Sequence, residues 1–435
     1  MQARITHGIY TQEEFVEAFE KAARELGLNL TVSIRQVRRW ESKQPGWPHP
    51  ATRTVLCALL CRPVEQLGFS RRMRRELDTA ASGSAQGGPV KRRDFVTYSL
   101  AAASSVVVPE FPEGLLAPPA ADPLDRLRDV LAGTVVRDAE PSTLAALDRD
   151  TAVAKGHVQG CRYAQLATSL PRLILEVEQR RASAGEQYRV DCVATNAYHV
   201  AASLFLKHGD APSAWVAADR AMAAARRTEQ PKAIASASRI LTHAVAAVGH
   251  RAQGIGVAIR GADRIAGSVA RSRPDTVAVF GALLLRGAWA AAAAGERHAA
   301  AALLDDAERA AGMLGDSNRQ WTAFGPSNVL LHRVSIALTL GDAGKALTQA
   351  RKVSVESLTV AERRAVFWTD VARALHACGR GEKATAALLA AEREAPQEVS
   401  SRTVVRELIG DLLLRDRAGR EPHLRSLAAR ARVVV

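Results

Sequence analysis

Apolar residues recur with helical spacing over almost the whole chain from residue 124 to its end. Short glycine-containing turns interrupt this pattern at Gly209, Gly249, Gly295, Gly341 and Gly379. Each turn follows an apolar helix and precedes an alanine-rich one. Five positions after each glycine stands a small residue, namely Ala214, Gly254, Ala300, Ala346 and Ala384. The pattern predicts repeated helical hairpins whose second helix packs closely on the first, and it favours a repeat stack over a generic helical bundle.

The N-terminal part shows helical periodicity in shorter segments. Residues 11–26 predict an amphipathic helix, in which Thr11 and Glu14 fit a capping box. A second helix is predicted from about Ser33, and the prolines of residues 43–50 end it. Two more short helices are expected in residues 51–60 and 62–69.

We therefore predict an all-α protein in three parts. A small helical domain covers residues 1–78, a Gly- and Pro-rich linker covers 79–123, and an α-solenoid covers 124–435. Within the linker, Arg92, Arg93 and Phe95 precede an apolar run, as in a twin-arginine export signal. Because this run is internal and too short to span a bilayer, we expect a tether, no membrane association and a cytoplasmic protein.

The charge of the chain favours polyanionic partners. The formal net charge is +14, and residues 1–94 contribute about +6 of it, so positive charge is densest near the N-terminus. The five cysteines are scattered and lack metal-ligand spacing, which argues against a disulfide framework or a zinc site. We expect no metal and no cofactor.

The segment VSIRQVRRWES, residues 32–42, is the candidate DNA-contacting helix. On a helical wheel Val37 and Trp40 share one side, whereas the arginines lie opposite and Gln36 flanks them. Guanidinium and amide groups contact phosphates and the edges of guanine and adenine. The candidate DNA-binding residues are Ser33, Arg35, Gln36, Arg38, Arg39, Lys43, Arg71 and Arg72.

Residues 32–69, with Ser33, Val37, Trp40 and Glu41, resemble the helix-turn-helix domain of xenobiotic-response-element-type (Cro/C1-like) regulators from actinobacteria. The last hairpin, with Gly379, Ala384, Ala391 and Pro396, resembles a tetratricopeptide repeat. Several such regulators join the two kinds of domain. The resemblance implies a DNA-binding transcriptional regulator, expected to form a homodimer, whose repeats present a concave groove to a peptide, small-molecule or protein signal. The alternative is a repeat scaffold that binds a protein and no DNA.

Two segments of the repeats carry candidate groove residues. In residues 321–338, Asn328 and His332 share a helix face, and an asparagine amide can bond both backbone groups of an extended peptide. The candidates are Asn196, Tyr198, Trp321, Phe324, Asn328 and His332. Helix capping and core packing would explain the same residues.

No catalytic motif has the context that it requires. GDSN at 315–318 lacks the strand that a lipase-type block needs, and the glycines of residues 254–261 lack dinucleotide-binding spacing. We expect that the protein is not an enzyme.

Overall fold

The computed structural model describes residues 11–26, 30–41, 50–60, 67, 122–135, 142–182, 185–269, 273–416 and 419–433. These residues form α-helices and short 3₁₀ turns, with no β-strand among them, which confirms the all-α prediction for this part of the chain. The chain divides into two compact units, Met1–Glu110 and Phe111–Val435. The predicted linker lies outside the described residues except for its last two positions.

The first unit contains α1 (Gln12–Glu25), α2 (Ile34–Trp40) and α3 (Pro50–Leu60). The capping box is present, since Thr11 Oγ1 accepts from Glu14 N and the Glu14 carboxylate accepts from Thr11 N. The three helices share one apolar core, formed by Phe15, Phe19, Ala23, Val32, Val37, Val55, Leu56 and Leu60.

The second unit is a succession of helices. They are α4 (Asp125–Ala132), α5 (Leu144–Gln159), α6 (Tyr163–Ala182), α7 (Gln187–Lys207), α8 (Ala211–Arg227), α9 (Pro231–Ala247), α10 (Arg251–Val269), α11 (Pro274–Ala294), α12 (Arg297–Gly312), α13 (Pro326–Thr339), α14 (Ala343–Ala350), α15 (Ala361–Ala377), α16 (Gly381–Glu394), α17 (Pro396–Ser401), α18 (Thr403–Arg415) and α19 (Pro422–Arg430). From α5 onward, consecutive helices pack on one another, whereas the first helix, α4, packs on α6 and α8. Among the described helices, α11 alone is long and apolar enough to cross a membrane, and most of it is buried inside the unit.

The predicted hairpins are confirmed. All five turn glycines adopt positive φ, between 74° and 103°, where a side chain would be strained. They join α7 to α8, α9 to α10, α11 to α12, α13 to α14 and α15 to α16. The small residue after each turn is buried, and a Cβ added at Gly254 would lie 3.1 Å from the Thr242 carbonyl oxygen. The second helix therefore approaches the first too closely for a larger side chain.

Hydrogen bonds join early helices of the second unit to segments much later in the chain. The side-chain amides of Gln159 and Asn318 exchange two hydrogen bonds, of 3.0 and 2.8 Å. Ala164 N donates to Gln397 Oε1 at 2.8 Å, and Thr403 Oγ1 donates to the His208 carbonyl at 3.2 Å. These contacts join residues at least 159 positions apart, so the region of α5–α7 closes against the segments around Asn318, Gln397 and Thr403.

A buried charge cluster holds this closure together. The Glu398 carboxylate is completely buried and accepts from Tyr163 Oη at 2.5 Å, Lys207 Nζ at 2.9 Å and Arg402 Nη1 at 3.0 Å. Lys207 Nζ also donates to Glu362 Oε1 at 2.5 Å. Burial, reinforced by Glu398, raises the pKa of Tyr163, so its hydroxyl remains a donor. The cluster fixes helices α6, α7, α15 and α17 to one another.

Candidate ligand cavity and candidate DNA-contacting helix

A cavity of about 550 Å³ lies inside the second unit. Its wall comes mainly from the first helix of each hairpin, namely α7, α9, α11, α13 and α15, with contributions from α5 and the 3₁₀ turn Arg319–Trp321. The volume falls within the range of small-molecule sites in proteins. Closure of the stack brings these helices together around one partly open cavity.

The structure brings half of the predicted groove residues to this cavity. Asn196, Trp321 and His332 line it. Asn196 Nδ2 donates a hydrogen bond to the Cys192 carbonyl at 2.9 Å. The Oδ1 oxygen of the same amide can accept a hydrogen bond from a ligand. His332 Nδ1 lies 2.9 Å from the Asn328 carbonyl, and this contact orients the ring on the wall.

The other three predicted groove residues lie elsewhere. Tyr198 is buried and donates its hydroxyl to Glu178 Oε1 at 2.8 Å. Phe324 is completely buried, with its ring lying over Gly281. Asn328 is 3% exposed and is absent from the cavity wall. The two predicted asparagines therefore do not share one groove, because Asn196 lines the cavity and Asn328 is buried away from it.

The wall carries a set of cations that the sequence pattern did not reveal. Seven cationic side chains line the cavity, against two carboxylates, Glu362 and Asp370. The cations are Lys155, Lys207, Arg239, Arg286, Arg363, Arg373 and Arg402. One sequence signal does exist, because Arg286 is the single basic residue of α11 and stands in the middle of its apolar stretch.

Four of these cations have carboxylate partners. Lys207 and Arg402 belong to the Glu398 cluster. Arg373 Nη1 lies 3.1 Å from Asp370 Oδ1, and Arg363 Nε lies 3.3 Å from Glu362 Oε2. Although burial by itself would raise it, Arg363 and Lys207 hold the pKa of Glu362 below its usual range, so this carboxylate is ionised.

The remaining three cations have no carboxylate within ion-pair distance in the described part of the chain. Arg239 Nη2 lies 3.4 Å from His199 Nε2, and Lys155 Nζ lies 5.8 Å from the centre of the Trp321 ring. Arg286 makes no hydrogen bond or ion pair to a described residue. Lys155, Arg239 and Arg286 are called the unpaired cations below.

Burial and mutual repulsion lower the pKa of each unpaired cation. Burial, with Arg239 adding to it, lowers the pKa of Lys155 to about 8. Burial and then Arg363 lower the pKa of Arg239 to about 10. Burial, followed by Arg363 and Arg239, lowers the pKa of Arg286 to about 9. All three are predominantly charged at pH 7, so their positive charge is retained at a cost to folding.

Three histidines complete the polar wall. Burial, followed by nearby arginines, lowers the pKa of His199 and His243, and lowers that of His332 to about 3. All three are neutral at pH 7, so each ring presents one donor and one acceptor nitrogen. His243 also packs edge-on against Trp289, with ring centres 4.7 Å apart.

Because Lys155 is charged on the cavity wall, replacing it with an uncharged residue should increase the stability of the protein, by an amount that depends on pH. In a buffer without polyvalent anions, Lys155→Met should raise the free energy of unfolding at pH 7 by about 1–3 kcal/mol. A lysine whose pKa is depressed on folding destabilises the protein fully below its folded pKa. This penalty disappears as pH rises to the unfolded value. The difference between mutant and wild type should therefore shrink between about pH 8 and pH 10.5.

Urea denaturation across this pH range measures the difference. Lys232→Met is the matched control, because it removes an exposed lysine of α9 that has no burial penalty to relieve. A stability gain for Lys155→Met that stayed constant or grew up to pH 10.5 would contradict the buried charge.

The described part of the first unit fits the predicted division of α2 into two faces. Val37 is buried, and Trp40 packs on Phe19 with ring centres 6.0 Å apart. Ser33 precedes the helix and its Oγ accepts from Gln36 N at 3.3 Å. The side chains of Gln36 and Arg38 are exposed.

The remaining candidate DNA-binding residues are only partly covered by the structure. Arg38 Nε donates to Gln12 Oε1 at 2.9 Å, which ties this guanidinium to α1. Arg35 and Arg39 belong to α2, but their side chains lie outside what the structure describes. Lys43, Arg71 and Arg72 lie wholly outside the described residues.

No protein-family model matches the chain, and no curated protein matches it either.

Proposed function

We propose that the protein is a cytoplasmic DNA-binding transcriptional regulator whose helical-repeat domain senses a small ligand in the cavity. The observation that carries the sensing role is the set of unpaired, partly buried cations on the wall of the cavity. Buried charges without partners destabilise a fold, and strongly perturbed ionisable groups in a cleft are typical of functional sites. A ligand that neutralised them would stabilise the protein when it bound.

The DNA-binding role is supported by the first unit. Its core buries Val37 and packs Trp40 against Phe19, while Gln36 and Arg38 remain exposed on the same helix. Gln36 offers the amide that pairs with an adenine edge, and the net charge of residues 1–94 favours a polyanion. The resemblance of residues 32–69 to helix-turn-helix regulators agrees with this role, and a homodimer would place two such helices on one operator.

The proposed role of α2 predicts two kinds of loss. Gln36→Ala should weaken binding to a preferred genomic fragment by about 1–3 kcal/mol, with little effect on other fragments. Neutralising Arg71 and Arg72 should weaken binding to all fragments alike and should flatten its salt dependence. Fluorescence anisotropy of the full-length protein at several salt concentrations measures both effects.

Lys21→Ala is the control, since it removes an exposed positive charge from α1 and leaves α2 unchanged. Absence of salt-dependent DNA binding by the wild-type protein would refute the regulator and favour the alternative, a repeat scaffold that binds a protein. Size-exclusion chromatography with light scattering would test the expected homodimer independently.

A further inference from the structure

The unpaired cations come from three different helices and converge on one region. Lys155 lies on α5, Arg239 on α9 and Arg286 on α11. All three side chains line the same cavity, and Arg239 lies close enough to lower the pKa of both Lys155 and Arg286. A cleft lined by charges of one sign concentrates ligands of the opposite sign.

The excess of positive charge on the wall is more than one anionic group would neutralise. Seven cations face two carboxylates, and the three histidines of the wall are neutral at pH 7. Glu398, just behind the wall, balances one more of these cations. An excess of about four positive charges therefore remains for a ligand to meet.

The cavity is too large for an inorganic ion alone. A volume of about 550 Å³ compares with roughly 30 Å³ for one water molecule. Part of the wall is apolar, since Trp289 and Trp321 lie there with Val200, Ile240 and Leu331. The indole of Trp321 stands beside Lys155, and Trp289 follows Arg286 by one helical turn. Anion-binding and apolar surfaces are thus adjacent.

We infer that the cavity binds a small organic molecule carrying two or more negative charges, as phosphate or carboxylate groups. Its anionic groups contact Lys155, Arg239 and Arg286, and its organic part packs against Trp289 and Trp321. Arginine pairs with phosphate and with carboxylate through two parallel N–H donors. The wall therefore specifies the charge and shape of the ligand but does not distinguish phosphate from carboxylate. This inference rests on the proposed sensing role and names the class of ligand.

The test is thermal unfolding and isothermal titration of the full-length protein with defined anions. The probes are pyrophosphate, adenosine diphosphate and citrate, compared with sodium chloride at equal ionic strength and with adenosine as a neutral analogue. At least one polyanion should raise the melting temperature by several degrees. A response to pyrophosphate or the nucleotide identifies phosphate as the anionic group, and a response to citrate alone identifies carboxylate.

Variants separate a ligand contact from a structural role. Arg286→Met should weaken binding of the active probe by about tenfold or more, while the melting temperature of the free protein stays the same or rises. A structural arginine would show the opposite, a lower melting temperature. Lys155→Gln provides a second variant at the same site. Arg260→Met is the matched control, since Arg260 is exposed on α10, and it should bind the probe like wild type.

Three results would overturn the inference. The first is that no polyanion raises the melting temperature more than sodium chloride does. The second is that adenosine raises it as much as its diphosphate does. The third is that both cavity variants bind the active probe as tightly as wild type. None of them bears on the DNA-binding assay. Failure of the ligand class and failure of the regulator are therefore distinguishable, because the first is measured without DNA and the second without a ligand.

Discussion

Replacing Glu398 with glutamine should lower the free energy of unfolding by about 3–5 kcal/mol. The carboxylate is completely buried and receives hydrogen bonds from Tyr163, Lys207 and Arg402. Glutamine has nearly the same volume, so the change removes the negative charge without leaving a cavity. Arg402 would then lose its counter-ion and Lys207 would keep only Glu362, so the closure of α6 and α7 against α17 would weaken.

Urea denaturation followed by circular dichroism measures this loss. Glu394→Gln is the control, because Glu394 pairs with Arg364 where both side chains are more than a quarter exposed. That substitution should cost about 1 kcal/mol or less. A loss at Glu398 no greater than the loss at Glu394 would show that the cluster does not stabilise the closure.

Phe324→Ala should also lower the free energy of unfolding by about 3–5 kcal/mol. The Phe324 ring is completely buried, and a Cβ added at Gly281 would lie only 1.9 Å from its Cζ atom. The ring therefore occupies a space that exists because position 281 has no side chain. Removal of the ring leaves a cavity in the core between α11 and the segment that leads into α13.

Trp321→Ala provides the contrast from only three residues away. Trp321 is 37% exposed and lines the cavity, so its loss should cost about 1 kcal/mol or less in stability. Its loss should instead weaken binding of the polyanion. Thermal melts of both variants with and without the active polyanion measure the difference. A reversed order, with the tryptophan variant far less stable, would contradict the assignment of Phe324 to the core.

The hairpin architecture could be predicted from the sequence because its determinants are local. A turn that needs positive φ selects glycine, and a close helix contact five residues later selects alanine or glycine. Both requirements recur in every hairpin, at Gly295 with Ala300 and at Gly379 with Ala384, for example. Helix α1 was predictable for the same reason, since its cap and apolar stripe lie within one segment.

The cavity could not be predicted in the same way, because its wall is assembled from residues far apart in the chain. Lys155, Arg239 and Arg286 have no shared spacing, and each resembles an ordinary basic residue of an amphipathic helix. Helical wheels identify which face of a helix is polar, but closure of the stack decides whether that face meets water or a cavity. Arg286 alone could have been recognised from the sequence, because it is the single basic residue of the apolar helix α11.

For Asn328 and Phe324 the sequence prediction made the opposite error, because it assigned buried core residues to a binding groove. Their neighbourhood in the sequence is unusual, and the unusual feature is a packing requirement: Phe324 fills the space over Gly281, and Asn328 lies 3% exposed in the core. An aromatic residue and an amide near a helix start predict a binding site and a core contact equally well.

The closure of the stack affects how the second unit unfolds. An open repeat array can fray from either end, because each repeat touches only its neighbours. Here the Gln159–Asn318 amide pair and the Glu398 cluster join α5, α6 and α7 to segments much later in the chain. Unfolding of α5–α7 should therefore be coupled to unfolding of α15 and α17, although these two groups of helices are far apart in the chain.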